Sequence, residues 1–432
     1  MPNRKRYCLV GTGSRAQLYL DAMASDFRDV AELAGICDIN PGRLAFNRET
    51  LAKRVDSEVP GYTAADFDRM IGELKPDVVI VTTGPDRTHS EYICRAMELG
   101  CDVVTEKPMT TDEKQALKIL ETVRRTGRKL QVTFNYRYAP PRAQVRELIQ
   151  QGKIGKVLSV DFAWTLDTRH GADYFRRWHR QLANSGSLLV HKATHHFDLV
   201  NWWIGDVPEE VFAFGSLNYY TAERAAELGL ADRTDRCTTC PVAARCPFHL
   251  DPTQEWFRRM YGEHEHHDGY FRDRCVFSPE IDIWDTMSVN VRYRGGALMS
   301  YLLHTYSPVE GYRVAFNGTQ GRIEHYANEN TYISGDDNIP GQLARDSVGV
   351  ALIPEFKSPT ALSPRLSEGG HGGGDPVMLA DIFDPDGRPD PLGRKANQVD
   401  GIYSIMVGIA AYRSIQRGQP VRIAELLENA QL

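Results

Sequence analysis

Over the first 135 residues, short and largely apolar runs alternate with amphipathic stretches. Tyr7 to Gly11, Leu33 to Asp38, Val78 to Thr83, Cys101 to Thr105 and Lys129 to Thr133 are the runs, as expected of strands buried on both faces. Between them, Ser90 to Leu99 places Ile93, Ala96 and Met97 at helical spacing, and Asp112 to Thr126 does the same with Ala116, Leu117, Ile119, Leu120 and Val123. Strand, helix, strand repeated predicts an α/β domain with a doubly wound parallel sheet over residues 1–135.

After Tyr138 the period changes. Val157 to Thr165 alternates in period two, and Asp285 to Tyr293 puts Met287, Val289, Val291 and Tyr293 on one face, the pattern of antiparallel strands with one exposed side. Residues 136–432 are therefore expected to form an α+β domain. Neither period holds from 219 to 278, a stretch rich in Arg, Asp, Cys and His that reads as an insertion, and the Pro- and Gly-rich stretch from Gly335 to Gly374 reads as a loop. No internal repeat is found.

Of 432 residues, 42% are hydrophobic and 25% charged, an ordinary globular balance. Lys and Arg number 51 against 57 Asp and Glu, a net charge of −6 with no long basic run, which argues against a nucleic-acid partner. No uncharged apolar run reaches the roughly 18 residues of a membrane span. The basic start, Met1 to Arg6, passes at once into a glycine turn with no room for a signal-peptide core, so a cytoplasmic location is expected.

Gly11-Thr-Gly13-Ser14-Arg15-Ala16 follows a predicted strand and opens a predicted helix, the context that gives a Gly-x-Gly-x-x-Gly/Ala match its meaning. Gly11 allows the tight turn, Gly13 lets the backbone approach a pyrophosphate, and Ala16 lets helix pack on strand. Asp38 ends the second strand, where a carboxylate accepts ribose hydroxyls and repels a 2′-phosphate. This favours NAD, with NADP kept open because Arg15 and Arg43 could clamp that phosphate.

Thr83-Gly-Pro85-Asp-Arg-Thr-His89 and Thr105-Glu106-Lys107-Pro108 follow successive strands, at the carboxyl ends where ligands bind. A lysine held there could donate a hydrogen bond to a substrate oxygen as its charge changes during hydride transfer. In the second domain, His191 and His195 lie one helical turn apart, and imidazole suits proton exchange with a hydroxyl near neutral pH; His195 is the expected base, with His191 as the rival. A His-x-x-x-His pair also suits zinc, but no third ligand accompanies it. His179, together with Tyr136, Arg137, Lys192, His371 and Asp375, is expected to line a polyol pocket.

These segments, with Asn135 to Tyr138, Gly152 to Lys156, His195-x-x-Asp198, Asn317 to Gly321 and Gly370 to Asp375, resemble the glucose–fructose oxidoreductase, inositol dehydrogenase and rhizopine catabolism (Gfo/Idh/MocA) family over nearly the whole chain. The resemblance implies a Rossmann domain followed by a domain on a large, mainly antiparallel open sheet whose face mediates homo-oligomers, a dimer or tetramer. It implies hydride transfer between a nicotinamide and a sugar or cyclitol hydroxyl, with Lys107 and His195 flanking the reacting carbon and Gly11, Gly13, Ser14, Arg15, Asp38, Thr83, Pro85, His89, Glu106 and Lys107 around the cofactor. The sequence departs from that pattern at His191, where aspartate is usual, and at Lys192, where a small residue is usual. A second imidazole cannot supply the missing fixed negative charge.

Eight cysteines occur. Cys237-x-x-Cys240-x5-Cys246, with His249 nearby and Cys275 further on, has thiolate-ligand spacing, so a structural zinc is expected, with no metal and an iron–sulfur cluster as the alternatives. Cys8, Cys37, Cys94 and Cys101 read as small buried hydrophobes, and His264 to His267 as a solvated loop over the active site. The overall expectation is a dehydrogenase of a small sugar, cyclitol or glycoside. The rivals are a glycosidase or lyase working by transient oxidation and elimination, and a non-catalytic sugar or nucleotide sensor.

Overall fold

The computed structural model describes residues 4–55, 58–330, 339–384 and 389–427. Strands β1 (Lys5–Val10), β2 (Ala31–Asp38), β3 (Gly61–Thr63), β4 (Val78–Val81), β5 (Asp102–Thr105) and β6 (Leu130–Val132) form a six-stranded parallel sheet in the order β3-β2-β1-β4-β5-β6. All four residues of β4, Val-Val-Ile-Val, are buried, as both-face burial requires. The order reverses between β1 and β4, and a ligand crevice opens at the carboxyl ends of such a switch point. β3, only three residues long, is too short to show a period in the sequence.

The second sheet has nine strands: β7 (Val157–Asp167), β8 (Pro208–Ser216), β9 (Thr286–Tyr293), β10 (Leu298–Ser307), β11 (Glu310–Gly318), β12 (Gly321–Glu329), β13 (Leu343–Pro354), β14 (Thr360–Leu362) and β15 (Val421–Arg422). Its order is β14-β13-β12-β11-β7-β10-β9-β8-β15, antiparallel except for the β7–β10 pair. Met287, Val289, Val291 and Tyr293 all face the core, as their alternation predicts. The helices Thr194–Ile204 and Gln398–Arg417 cover that side, and the other side stays open.

The expected loop over 335–374 is corrected by β13 and β14. Val348 and Val350 alternate inward there, a signal masked by the Pro and Gly at either end; Gly335 lies outside the described residues. The stretch from 219 to 278 is mostly irregular, with the short helices Ala222–Glu227 and Glu255–Met260. Among the described residues no helix is long and apolar enough to cross a membrane.

The segment Gly370–Phe383 returns to the first sheet, where Met378, Leu379, Ile382 and Phe383 join Tyr7, Leu9 and Tyr19 in one apolar cluster. Phe383 meets the Tyr7 ring edge-on at 5.1 Å, and the Tyr7 hydroxyl donates to the Ile382 carbonyl.

Arg137, expected in the substrate pocket, lies elsewhere. Its guanidinium is buried in a two-pronged pair with Asp198, at 2.8 and 2.5 Å, and also donates to Asp400 and the Gly393 carbonyl. With its donors so engaged it pins the turn Asn135–Tyr138 to the helix Thr194–Ile204, and thus positions Tyr136 and His195. Arg137→Met leaves Asp198 buried without its counter-charge and should cost about 3–5 kcal/mol in urea unfolding; adding Asp198→Asn should recover part of that loss.

Candidate active site

A cleft of about 920 Å³ runs from the glycine turn, past the loops after β4 and β5, to the second-domain residues His179, His191, Lys192, His195 and His371. Gly11, at φ 91°, has a geometric reason to be glycine: a Cβ there would lie 2.6 Å from the Thr83 backbone. The two loops close on each other at that point. Thr82 donates to the Gly11 carbonyl at 2.6 Å, and His89 bridges the carbonyls of Thr83 and Pro108 at 2.8 Å each. His89 is thus a latch between the loop after β4 and the loop after β5.

At the start of the cleft, Glu106 accepts from Arg15 and Tyr19, at 2.6 Å each, and from the Lys107 N–H. The Arg15 and Lys107 charges and the Tyr19 hydroxyl hold its carboxyl below the usual range against the effect of burial. Arg15 also lies 4.0 Å from Asp375, so both sides of its guanidinium face acids. Asp38 accepts from the Thr12 N–H and hydroxyl, the Asn40 N–H and Arg43.

The 219–278 segment folds back over this end, a placement no periodicity announced. The Ser14 N–H donates to the Tyr261 hydroxyl at 2.8 Å, Asn40 donates to the His264 carbonyl, and Arg43 meets Asp268 at 2.5 Å. A Cβ on Gly42 would collide with the His264 ring. His264 packs against the first domain, whereas His266 and His267 are exposed.

At the other end, His191 Nδ1 lies 2.5 Å from the Asp86 carboxylate. The sequence reading missed this contact, although Asp86 stands inside the Thr83–His89 loop. The carboxyl that faces His191 thus comes across from the loop after β4. Burial disfavours charge on both partners, holding His191 well below and Asp86 well above their ordinary values. Lys107 donates to the His191 carbonyl at 3.3 Å; burial brings its ammonium down to about 8, against the pull of Asp86 and Glu106.

His195 stacks on Tyr136 with ring centroids 4.1 Å apart, and its Nδ1 is buried without a hydrogen-bond partner. The His179 ring lies 4.1 Å from that of His191, backed by Trp178 at 3.7 Å. His371 Nδ1 donates to the Asp375 carboxylate at 2.7 Å, and Asn135 donates to the other oxygen. Of the expected pocket residues, Tyr136, His179, Lys192, His371 and Asp375 line the cleft and Arg137 does not.

The metal expected at Cys237, Cys240, Cys246 and Cys275 is corrected. The four cysteines do surround one small cavity, with Leu230, Val242, Phe248 and Phe277. Yet among the described residues no group of three or more His, Cys, Asp or Glu is arranged to hold a metal ion. Cys8, Cys37, Cys94 and Cys101 are buried, as expected.

Residues 5–134 match the family description "Oxidoreductase family, NAD-binding Rossmann fold", and residues 146–423 match "Oxidoreductase family, C-terminal alpha/beta domain", both of Gfo/Idh/MocA. The chain belongs to the Gfo/Idh/MocA oxidoreductase family. It is 39% identical over 441 residues to YteT of Bacillus subtilis strain 168, a protein named as an oxidoreductase, covering 98% of this chain and 99% of that one. An inositol 2-dehydrogenase/D-chiro-inositol 3-dehydrogenase of Lactiplantibacillus plantarum is 26% identical over 200 residues, 46% of this chain and 52% of its own. Among solved structures, an oxidoreductase from Agrobacterium radiobacter in complex with NAD+, L-tartaric acid and magnesium shares the fold. The TM-score is 0.65 at 16% identity, covering 98% of this chain and all of that one.

In this Gfo/Idh/MocA protein the buried imidazoles tie stability to pH. His179, His191, His195 and His196 are held well below 6.5 by burial, and His325 at about 4. Below about 6.5 the unfolded chain takes up protons that the folded one refuses, so this contribution is complete above that pH and is lost as pH falls. Asp86 and Asp198, raised by burial, act in the opposite sense. Melting temperature should therefore drop between pH 7.5 and 5, and His325→Gln should flatten the drop; an unchanged slope would remove His325 from the account.

Proposed function

We propose that the protein moves a hydride between a nicotinamide cofactor and a ring hydroxyl or ketone of a sugar, cyclitol or glycoside. The observation that carries this reading is the convergence of Lys107, His195 and the Asp86–His191 pair at one end of a cleft whose other end is a glycine turn. The kinship with an inositol dehydrogenase supports the substrate class.

The donor set fits a dinucleotide. The Ser14 N–H already faces an oxygen acceptor, the Tyr261 phenol, at the helix start where a phosphate oxygen would sit. Gly11, Gly13, Ser14 and Arg15 would hold the pyrophosphate, Asp38 would border the adenosine ribose, and Thr83, Pro85, His89, Glu106 and Lys107 would border the nicotinamide. When bound, the nicotinamide supplies the hydride acceptor or donor. NAD is favoured over NADP because neither nearby arginine is uncommitted: Arg15 faces Glu106 and Asp375, and Arg43 faces Asp38 and Asp268.

Lys107 donates a hydrogen bond to the reacting oxygen, and its lowered affinity for the proton lets it exchange one near neutrality. Burial keeps His195 and His191 as neutral imidazoles, ready to accept the hydroxyl proton. Of the two, His191 has the carboxylate that fixes ring orientation and supports the imidazolium once formed, as in other carboxylate–histidine pairs. His195 holds the substrate's flank from its stack on Tyr136.

Absorbance at the reduced-nicotinamide band, with NAD or NADP and a panel of hexoses, cyclitols and glycosides, tests the reading. Growth of the band with NAD is expected, and about a 10²–10⁴-fold loss of kcat in Lys107→Met and in His191→Asn. The Lys107 limb should appear as a fall in kcat/KM as pH rises through about 8. Cleavage of a glycoside without net growth of the band would point to oxidation followed by elimination, and near-normal turnover in both variants would sink the mechanism.

A homo-oligomer is also proposed, through the open face of the second sheet. The ladder aligns Phe214, Ser288, Leu302, Ala163, Arg313 and Tyr326 across six strands of that face, and Phe214, Leu302 and Tyr326 are 65%, 40% and 42% exposed. Light scattering should show a dimer or tetramer that Phe214→Glu with Leu302→Glu converts to monomer; a monomeric parent protein would refute it.

A further inference from the structure

Several buried or half-buried arginines of the described residues meet carboxylates. Arg15 meets Glu106, Arg43 meets Asp38 and Asp268, Arg137 meets Asp198, and Arg142 meets Glu329. Lys192 is different. It is only 5% exposed and it lines the cleft, yet among the described residues no carboxylate lies within ion-pair distance of its Nζ.

Among the described residues its one hydrogen bond is to the Tyr136 hydroxyl at 3.1 Å. The rings of Tyr136 and Trp164 stand 5.6 and 5.3 Å from Nζ, a weaker attraction than a counter-charge provides. Glu310 is taken by His170 at 2.8 Å and by the Asp167 N–H at 2.7 Å, and Glu329 by Arg142. An ammonium has three N–H donors, so two remain for whatever occupies the cleft.

A buried cation that the fold leaves without a partner is stabilised when a ligand brings the opposite charge. Tyr136 completes the arrangement. Its oxygen accepts from Lys192, which leaves its own O–H to donate, so an ammonium and a hydroxyl donor stand side by side at the cleft wall. Together they match the two oxygens of a carboxylate. His191, His195 and His196, held well below their ordinary values by burial, do not compete for that anion.

We propose that the substrate is an anionic sugar, a uronic or aldonic acid, whose carboxylate is held by Lys192 and the Tyr136 hydroxyl. This rests on the dehydrogenase reading of the same cleft and names its substrate class. Lys107 then acts on the reacting oxygen while Lys192 fixes the acid end, so that two lysines with different tasks share one cavity.

The test compares D-glucuronate, D-galacturonate, D-mannuronate and D-gluconate with D-glucose, D-galactose, D-mannose and myo-inositol. Each is offered to the full-length protein with NAD, following both reduced-nicotinamide absorbance and binding by calorimetry. At least one acid should exceed its neutral counterpart in kcat/KM by about tenfold or more, mainly through KM. Lys192→Met should shrink that acid-to-neutral ratio about tenfold, and Lys192→Arg, which keeps the charge, should largely preserve it; circular dichroism and melting of both variants report on folding.

An acid that binds in a Lys192-dependent way without any nicotinamide reduction would uphold the anion site and sink the dehydrogenase reading. Turnover of neutral sugars with no acid preferred would do the reverse. Absence of acid binding, or a ratio unmoved in a folded Lys192→Met protein, would leave Lys192 as a cation resting on two aromatic rings and overturn the proposal.

Discussion

One buried carboxylate, Glu106, joins the parts of the cleft that come from different places in the chain. It accepts from Arg15 on the glycine turn, from Tyr19 on the following helix, and from the backbone N–H of Lys107 beside it. A carboxylate so deeply placed persists as an anion only because these donors replace its water. The same contacts set the distance between the turn and the lysine. Through Arg15 the network reaches Asp375, and through Asp375 it reaches His371 and Asn135, so it spans both domains.

The chemical end of the cleft obeys the same rule with a different result. Asp86 and His191 face each other where burial penalises charge on either. A group in that setting holds or yields a proton according to what enters beside it. The site keeps a carboxyl beside His191. The loop after β4 provides it, and the geometry crosses the interface instead of lying along one helix.

Much of this was legible in the sequence, because the strongest signals are local. β1 and β4 carry apolar runs long enough to stand out, and the turn Gly11–Ala16 must use glycine where Thr83 crowds it. In the second sheet β7 and β9 announced themselves by alternation. What stayed hidden depended on distant pairing. β13 lies among prolines and glycines, and Tyr261 and Asp268 reach Ser14 and Arg43 from more than two hundred positions away. Arg137 has the composition of a sugar-binding residue, but Asp198 and Asp400 decide its role. The cysteines had ligand spacing without ligand geometry, since spacing says which residues can meet and not how their sulfurs point.

The return of Gly370–Phe383 to the first sheet bears on how the chain is born. Tyr7, Leu9 and Tyr19 are made early, whereas Met378, Leu379, Ile382 and Phe383, which cover them, emerge near the end. Domains usually fold in the order of synthesis, but here the apolar cover of the amino-terminal sheet is shared between its own residues Leu20, Met23, Leu44 and Leu51 and a segment made far later in the chain. The linear boundary between the two halves is thus not a boundary of the apolar core.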